Sequence, residues 1–377
     1  MVLTRVMELE LFKISLDKTW TNISQRVRTF PWSAFDLCTD QGWAYGLPTP
    51  WLHNFCLEWM VHDWTTFQRY LNELEHIKGH TGSEYIHAVH FRGRKANPLL
   101  VLLHGWPSTF IEFLPLAARL SEIGYSVLVP ALPGYPLSSF VRSPVGPRET
   151  ARLISEFMKA LGYRAFIAHG GDWGAEVSVW LGLLEPEICR GVHLAMRGLA
   201  GNEPECELHT LEEREWKRFA ANRYSKGGLY MELQTRETLT FAYALADSPV
   251  GTAAWICDKF LRWTDGRGGG PEAAEAILTR EFLFHTLTLF CAGERAASSL
   301  WMYPGYTAEQ QRIPHRLEVP VAIFALPNDP VFPWPPRSLL ERHYNITRWT
   351  QPAYGAHFAA LETPDLLYAD LIAFCRS

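Results

Sequence analysis

From Tyr85 onward the chain reads as strands and helices in alternation. Tyr85-Ile-His-Ala-Val-His-Phe91 alternates apolar and polar positions, and Arg92-Gly93-Arg94 makes a turn. Pro98-Leu-Leu-Val-Leu-Leu103 is a continuous apolar run, the pattern of a strand covered on both faces. Ser126-Val-Leu-Val-Pro130, Ala165 to Ala168 and Gly191-Val-His-Leu194 read as further strands. Between them Thr109 to Ile123, Pro147 to Leu161 and Ala175 to Leu184 read as helices, with Pro147 near a first turn. Such alternation predicts a mostly parallel sheet covered by helices.

The rhythm differs on both sides. Before it, Leu52 to Tyr70 and Leu71 to Ile77 have helical spacing. Trp20, Phe30, Trp32, Phe35, Trp43, Trp51, Trp59 and Trp64 fall in this part and read as packing anchors of an arm on the outside of a later domain. After about Met196 the alternation stops, and a mostly helical stretch follows with a loop at Asp265-Gly-Arg-Gly-Gly-Gly-Pro271. It resumes with strand Val321 to Ala325, helix Arg337 to His343, strand Ile346 to Thr350 and helix Pro364 to Phe374. The expected division is an N-terminal arm at 1–82, the first half of an α/β core at 83–196, an inserted helical cap at 197–313 and the second half of the core at 314–377.

Composition narrows the function classes. With 377 residues and 47% apolar, a large core is available. The net charge of -5 comes without blocks of like charge, so nothing invites nucleic acid or an anionic membrane. Cys38, Cys56, Cys189, Cys206, Cys257, Cys291 and Cys375 are scattered without C-x-x-C spacing, which favours a reducing compartment and argues against a zinc site. Met1 to Leu16 alternates apolar and charged residues and lacks the apolar core of a signal peptide. No uncharged run approaches the ~20 residues of a membrane span. The expectation is a cytoplasmic protein.

The chemistry centres on Gly170-Gly171-Asp172-Trp173-Gly174, between a strand and a helix. This is the spacing of a nucleophile elbow, with Asp at the apex. Flanking glycines remove Cβ atoms that would collide in so tight a turn. The following helix points its N-terminal amides at the same place. An ionised carboxylate needs no base to attack an sp3 carbon, but it leaves an ester for water to cleave. A plain helix cap is the other reading of this Asp.

Three other pieces suit the elbow. His104-Gly105-Trp106-Pro107 follows a strand, and the backbone N–H groups of Trp106 and Trp173 can form an oxyanion hole for ester hydrolysis. Gly355-Ala356-His357-Phe358 follows the last strand, and His357 can activate water. His90, His193, His285 and His315 sit in apolar or helical settings and read as structural. Leu326-Pro-Asn-Asp-Pro330 places Asp329 after a strand, where it can orient the imidazole or merely start a turn. The chain order Asp172, Asp329, His357 matches nucleophile, acid, base.

With these motifs the chain resembles the epoxide hydrolases of the α/β-hydrolase superfamily, in their microsomal-type branch. The resemblance covers nearly the whole chain. It rests on HGWP at 104–107, GGDWG at 170–174, DSPVG with the following AAW at 247–255, SSLWMY at 298–303 and GAHFAA at 355–360. The α/β-hydrolase fold, with inserted helical cap and N-terminal helical arm, is what it implies. It also implies two cap tyrosines that donate to the epoxide oxygen, matching Tyr303 and Tyr230; Tyr306 and Tyr243 are their neighbours. The implied substrate is a small-molecule epoxide, apolar or bulky, and the implied product is a vicinal diol. Neither metal nor cofactor is needed, and a homodimer is compatible.

The chain departs from the family in places. Pro133-Gly-Tyr-Pro-Leu-Ser138 lacks a second glycine before the serine, so Pro136 and Leu137 are expected to reshape a pocket wall. Asp63-Trp-Thr-Thr-Phe-Gln68 lacks the ion-pairing residues of the family's arm, and the expectation is a protein without the family's membrane-anchoring helix. The same site could serve an epoxide-opening cyclase of natural-product biosynthesis, in which a substrate hydroxyl attacks. A silent binding protein would not need the full set of residues. A dehalogenase would need indole donors for halide where this chain has the tyrosine pair.

Overall fold

The fold is built on one sheet whose middle strands are buried from end to end. The computed structural model describes residues 7–35, 42–94, 97–309 and 314–377. The strands are β1 (Glu8–Leu11), β2 (His76–Thr81), β3 (Glu84–Phe91), β4 (Leu99–Leu103), β5 (Val127–Pro130), β6 (Phe166–Gly170), β7 (Cys189–Leu194), β8 (Leu317–Phe324) and β9 (Tyr344–Thr350). Their order is β1-β2-β3-β5-β4-β6-β7-β8-β9. Pairing is antiparallel from β1 to β5 and parallel from β5 to β9. Every residue of β4 and β6 is buried. This is the physical counterpart of their unbroken apolar runs.

Helices cover both faces. Helix Pro147–Ala160 buries Ile154, Phe157 and Met158 and leaves Arg148, Arg152 and Lys159 exposed. Helix Trp173–Leu184 is buried through Gly182. Gly182 allows that closeness, since a Cβ there would lie 2.9 Å from Leu317. Between β7 and β8 the chain leaves the sheet for a series of helices running from Leu211–Gly227 to Met302–Ala308. Residues 310–313, the expected end of the cap, lie outside the described residues, as does Cys38.

The N-terminal part differs from its sequence reading. Helices Thr49–Val61 and Trp64–Glu73 form, but the expected helical continuation to Ile77 does not. His76 instead begins β2, pairing with Val89. Apolar spacing over so few residues suits either element, and the open edge of β3 supplies backbone partners that decide it. Glu8–Leu11 adds an outermost strand with every residue exposed. The arm thus extends the sheet as well as packing against the cap, where Trp59 Nε1 donates to Thr288 Oγ1 at 2.9 Å.

Hydrogen bonds hold the segment of the arm that departs from the family pattern. Asp63 caps its helix by accepting from the Thr65 amide at 3.1 Å, and Gln68 accepts from the Leu16 amide at 2.7 Å. Among the described residues no helix is long and apolar enough to cross a membrane.

Candidate active site

The turn after β6 carries Asp172 at φ 46° and ψ -132°. A non-glycine residue there is strained, at a cost of order 1–3 kcal/mol, and the surroundings must enforce it. The surroundings are tight. A Cβ on Gly170 would lie 2.2 Å from the Gly174 backbone, and one on Gly174 would lie 1.9 Å from the Leu103 carbonyl oxygen. The turn after β4, the neighbouring parallel strand, comes equally close: a Cβ on Gly105 would lie 2.1 Å from Asp172 Oδ1. That approach lets the Trp106 amide donate to Asp172 Oδ1 at 2.8 Å. Trp173 opens the helix after Asp172, and first-turn amides have no intrahelical acceptor. His104 holds the β4 turn in place, because its Nε2 accepts from the Leu132 amide at 3.2 Å. Burial lowers the pKa of this ring to about 4, so it stays neutral.

His357 and Asp329 arrive on the loops that follow β9 and β8. His357 Nδ1 lies 2.8 Å from Asp329 Oδ2, and Nε2 lies 3.3 Å from Asp172 Oδ2. Asp329 is fixed in turn by the amides of Val331 and Phe332, which donate to Oδ1 at 2.8 and 2.7 Å. Burial by itself would lower the pKa of His357. The charges of Asp329 and Asp172 outweigh it and push the ring up to about 10. The free site therefore holds an imidazolium between two carboxylates.

Tyr230 and Tyr303 come from different helices of the cap and are both buried. The Trp106 ring stacks on Tyr230 at 5.5 Å and meets Tyr303 edge-on at 6.1 Å. The two phenol rings are 6.1 Å apart at 86°. Burial raises both phenols well above the ordinary tyrosine value, with the Asp172 charge adding to it. Both are neutral donors at neutral pH. The structure thus gathers Asp172, His357, Asp329, Trp106, Trp173, Tyr230 and Tyr303 at one place. Their neighbours behave differently: Tyr243 is exposed, while Tyr306 packs its ring on Trp173 at 5.3 Å and turns its hydroxyl to accept from Asn202 at 2.8 Å.

Other histidines have local partners. His90 bonds Glu75 and Tyr163, and His193 bonds Asp370 and His169. His285 faces His62 within 3.0 Å, and His315 is exposed at a bend.

Several residues of the site had no motif to mark them. Trp263, the last residue of a cap helix, packs on His357 at 5.0 Å and on Tyr230 at 4.8 Å. Glu362 accepts from the amides of Ala356 and Phe358 at 3.0 and 2.7 Å, which clamps the His357 loop. Asp265 lies in the glycine-rich cap loop. Its Oδ2 accepts from Asn328 and from the Gly355 amide, both at 2.9 Å, joining the loops of Asp329 and His357. Glu112 is buried, and burial above all pushes its carboxyl up to about 7. The signal that could have found it is an acid inside the apolar run Phe110-Ile-Glu-Phe-Leu114.

Ser108, Glu112, His169, Asp172 and His357 line a cavity of about 20 Å³, room for one water and no substrate. A separate cleft of about 870 Å³ reaches Tyr230 and Trp263 past Leu229, Trp255 and Val331. The altered Pro136-Leu137 turn gives Leu137 a φ of 69°, a conformation that costs about 1 kcal/mol or more. Its far side is tied to the cap by Arg295, whose Nε donates to the Ser138 carbonyl at 2.9 Å.

Comparison with known proteins agrees with this architecture. The family described as "Epoxide hydrolase N terminus" matches residues 9–113, and the one described as "alpha/beta hydrolase fold" matches residues 98–232. A protein named as an epoxide hydrolase in Stigmatella aurantiaca is 32% identical, over 96% of this chain and 83% of that one. Epoxide hydrolase 1 of Sus scrofa is 27% identical, over 96% of this chain and 87% of its own length. The solved structure of Aspergillus niger epoxide hydrolase superposes with a TM-score of 0.80 at 28% identity, covering 98% of this chain and 97% of that one. With its α/β-hydrolase fold and capped carboxylate elbow, the chain belongs to the epoxide hydrolases.

Proposed function

We propose that this enzyme opens its epoxide by covalent catalysis through Asp172. The carboxylate attacks a ring carbon, and the carbon–oxygen bond breaks. The leaving oxygen takes a proton from one phenol while the other donates a hydrogen bond. Neutral donors suit this step, because an alkoxide develops where only an ether oxygen stood before. With Oδ1 held by the Trp106 amide, Oδ2 is the attacking oxygen and Oδ1 becomes the ester carbonyl.

Esterification removes one of the two charges that hold a proton on His357. The ring's affinity for that proton falls, and the proton passes to the tyrosinate, restoring the phenol. Neutral His357, oriented by Asp329, then takes a proton from water as its oxygen attacks the ester carbonyl. The tetrahedral oxyanion sits on the amides of Trp106 and Trp173. Collapse releases the diol: the departing oxygen takes its proton from the imidazolium, and the ring recovers one from the carboxylic acid formed on Asp172, which restores carboxylate and imidazolium for the next cycle. The cleft of about 870 Å³ that reaches Tyr230 and Trp263 supports a bulky substrate.

The single observation that carries this reading is the placement of His357 Nε2 at 3.3 Å from Asp172 Oδ2, with Nδ1 held by Asp329. Single turnover in 18O-labelled water tests it. The first diol should contain unlabelled oxygen taken from Asp172, and later turnovers should contain label. Label in the first diol, or full activity of Asp172→Asn, would overturn it.

A further inference from the structure

Away from the catalytic residues, His62, Glu281 and His285 bring three metal-ligating side chains together where the arm meets the cap. Their ligand atoms all lie within 4.8 Å of one another. His62 Nε2 and His285 Nε2 are 3.0 Å apart, and His285 Nε2 is 3.8 Å from Glu281 Oε1. We propose that these residues form a binding site for a divalent transition ion of the zinc class, which pins the N-terminal arm to the cap.

The geometry is close to what such an ion requires. Zinc binds imidazole nitrogen at about 2.0–2.1 Å, so two tetrahedral nitrogen ligands stand about 3.3 Å apart. The observed nitrogen separation differs from that by a few tenths of an ångström. Glu281 and His285 are one helical turn apart on Arg280–Cys291, so both face the same way. His62 comes from the other side, directly after helix Thr49–Val61 and before the Asp63 cap of the next helix.

The two imidazoles are held differently from the carboxylate. His285 stacks on Phe67 with ring centroids 3.5 Å apart and planes 6° from parallel. Its side chain is 12% exposed, whereas that of Glu281 is 68% exposed. His62 packs its ring on Phe284 at 5.4 Å, so both imidazoles have packing partners, and the exposed third ligand has freedom to close on the ion. The exposed side leaves a fourth position for water. Two nitrogen donors and one carboxylate favour zinc-class ions over calcium or magnesium, which prefer oxygen. The cysteine spacing that argues against a thiolate zinc site has no bearing on this one, which uses imidazole. The competing account is a single N–H···N bond between two neutral rings, and it makes different predictions.

The ion would join the junction of two arm helices to a cap helix already bridged by Arg280 and Glu58 at 2.7 Å. Its effect would be on the stability of that seam, since none of the three residues lies among those that gather around Asp172.

The test uses the full chain, stripped with chelator and titrated calorimetrically with Zn2+, with thermal unfolding followed in parallel. One equivalent should bind, and free Zn2+ at about 100 times Kd should raise Tm by about 3 °C. His62→Gln and His285→Gln should each weaken binding about 100-fold and abolish the Tm rise. Glu281→Gln, at an exposed position that folding tolerates, should weaken it about 10-fold. Epoxide turnover by the stripped protein should match that of the loaded one. Absence of stoichiometric binding overturns the proposal and leaves the hydrogen-bonded histidine pair. Equal affinity in wild type and Glu281→Gln, with Co2+ giving the same visible spectrum in both, also overturns it by placing the ion elsewhere.

Discussion

The ring of His357 meets Asp329 through Nδ1 at 2.8 Å, which turns Nε2 toward Asp172. In the proposed mechanism the first carboxylate orients the base, and the second is the group whose ester that base helps to cleave. On that proposal the pairing separates the two chemical steps, because it would matter most once Asp172 had become a neutral ester.

Asp329→Asn should therefore spare the first step and cripple the second. The expected loss in steady-state kcat is about 10⁴-fold, the scale seen when the acid of a triad loses its charge. Rapid mixing should still show a burst of ring opening, and mass spectrometry should find substrate attached to Asp172. Equal loss of burst and turnover would remove Asp329 from this role.

The cap tyrosines should show the opposite pattern. Tyr230→Phe and Tyr303→Phe should each slow ester formation by about 10²-fold, the typical loss of one preorganised donor. The double variant should be lower still, while hydrolysis of a preformed ester stays near the wild-type rate. Stopped-flow fluorescence can follow both steps, because Trp106 and Trp173 adjoin the phenols.

Gly105→Ala tests the backbone packing around Asp172, the proposed nucleophile. The added Cβ would fall 2.1 Å from Asp172 Oδ1, so either the turn or the carboxylate must shift. A shift of about 1 Å at a reacting group costs about 10²-fold. Overpacking of this kind costs about 1–3 kcal/mol of stability. Activity should fall by at least that factor while circular dichroism remains that of the folded chain. Wild-type kcat in this variant would show that the close approach is not needed.

Glu112 should impose a pH dependence on stability. Its carboxyl is raised from 4.5 to about 7 by burial, so the folded chain holds the proton more tightly than the unfolded chain. The stabilisation is complete below pH 4.5 and is lost as pH rises through about 7. The shift corresponds to about 3 kcal/mol. Glu112→Gln, which stays neutral, should gain on wild type between pH 4 and pH 8 in urea unfolding by that order. Parallel curves for the two proteins would show that Glu112 is not buried as an acid.

The local chemistry was legible in the chain itself. Buried strands β4 and β6 announce themselves as apolar runs, and Gly170 and Gly174 bracket Asp172 because only glycine fits that turn. Single residues after strands, such as His357 and Asp329, could be placed on one sheet edge by alternation alone. The cap tyrosines were found only through resemblance, since helical spacing around Tyr230 and Tyr303 looks like that of any packed helix.

Other features depended on long-range contact. His76 joins β2 because β3 offers it an edge, which seven residues of apolar spacing cannot express. Asp265 and Glu362 look like ordinary loop and helix acids until folding brings the amides of Gly355, Ala356 and Phe358 to them. Trp263 likewise gains its place on His357 only when the cap closes over the sheet. Sequence determines which backbone turns are sterically allowed and which side chains can react, because those are properties of a few adjacent residues. Tertiary structure decides which distant loops share a hydrogen bond, because that depends on how buried polar groups find partners after the sheet and cap have packed.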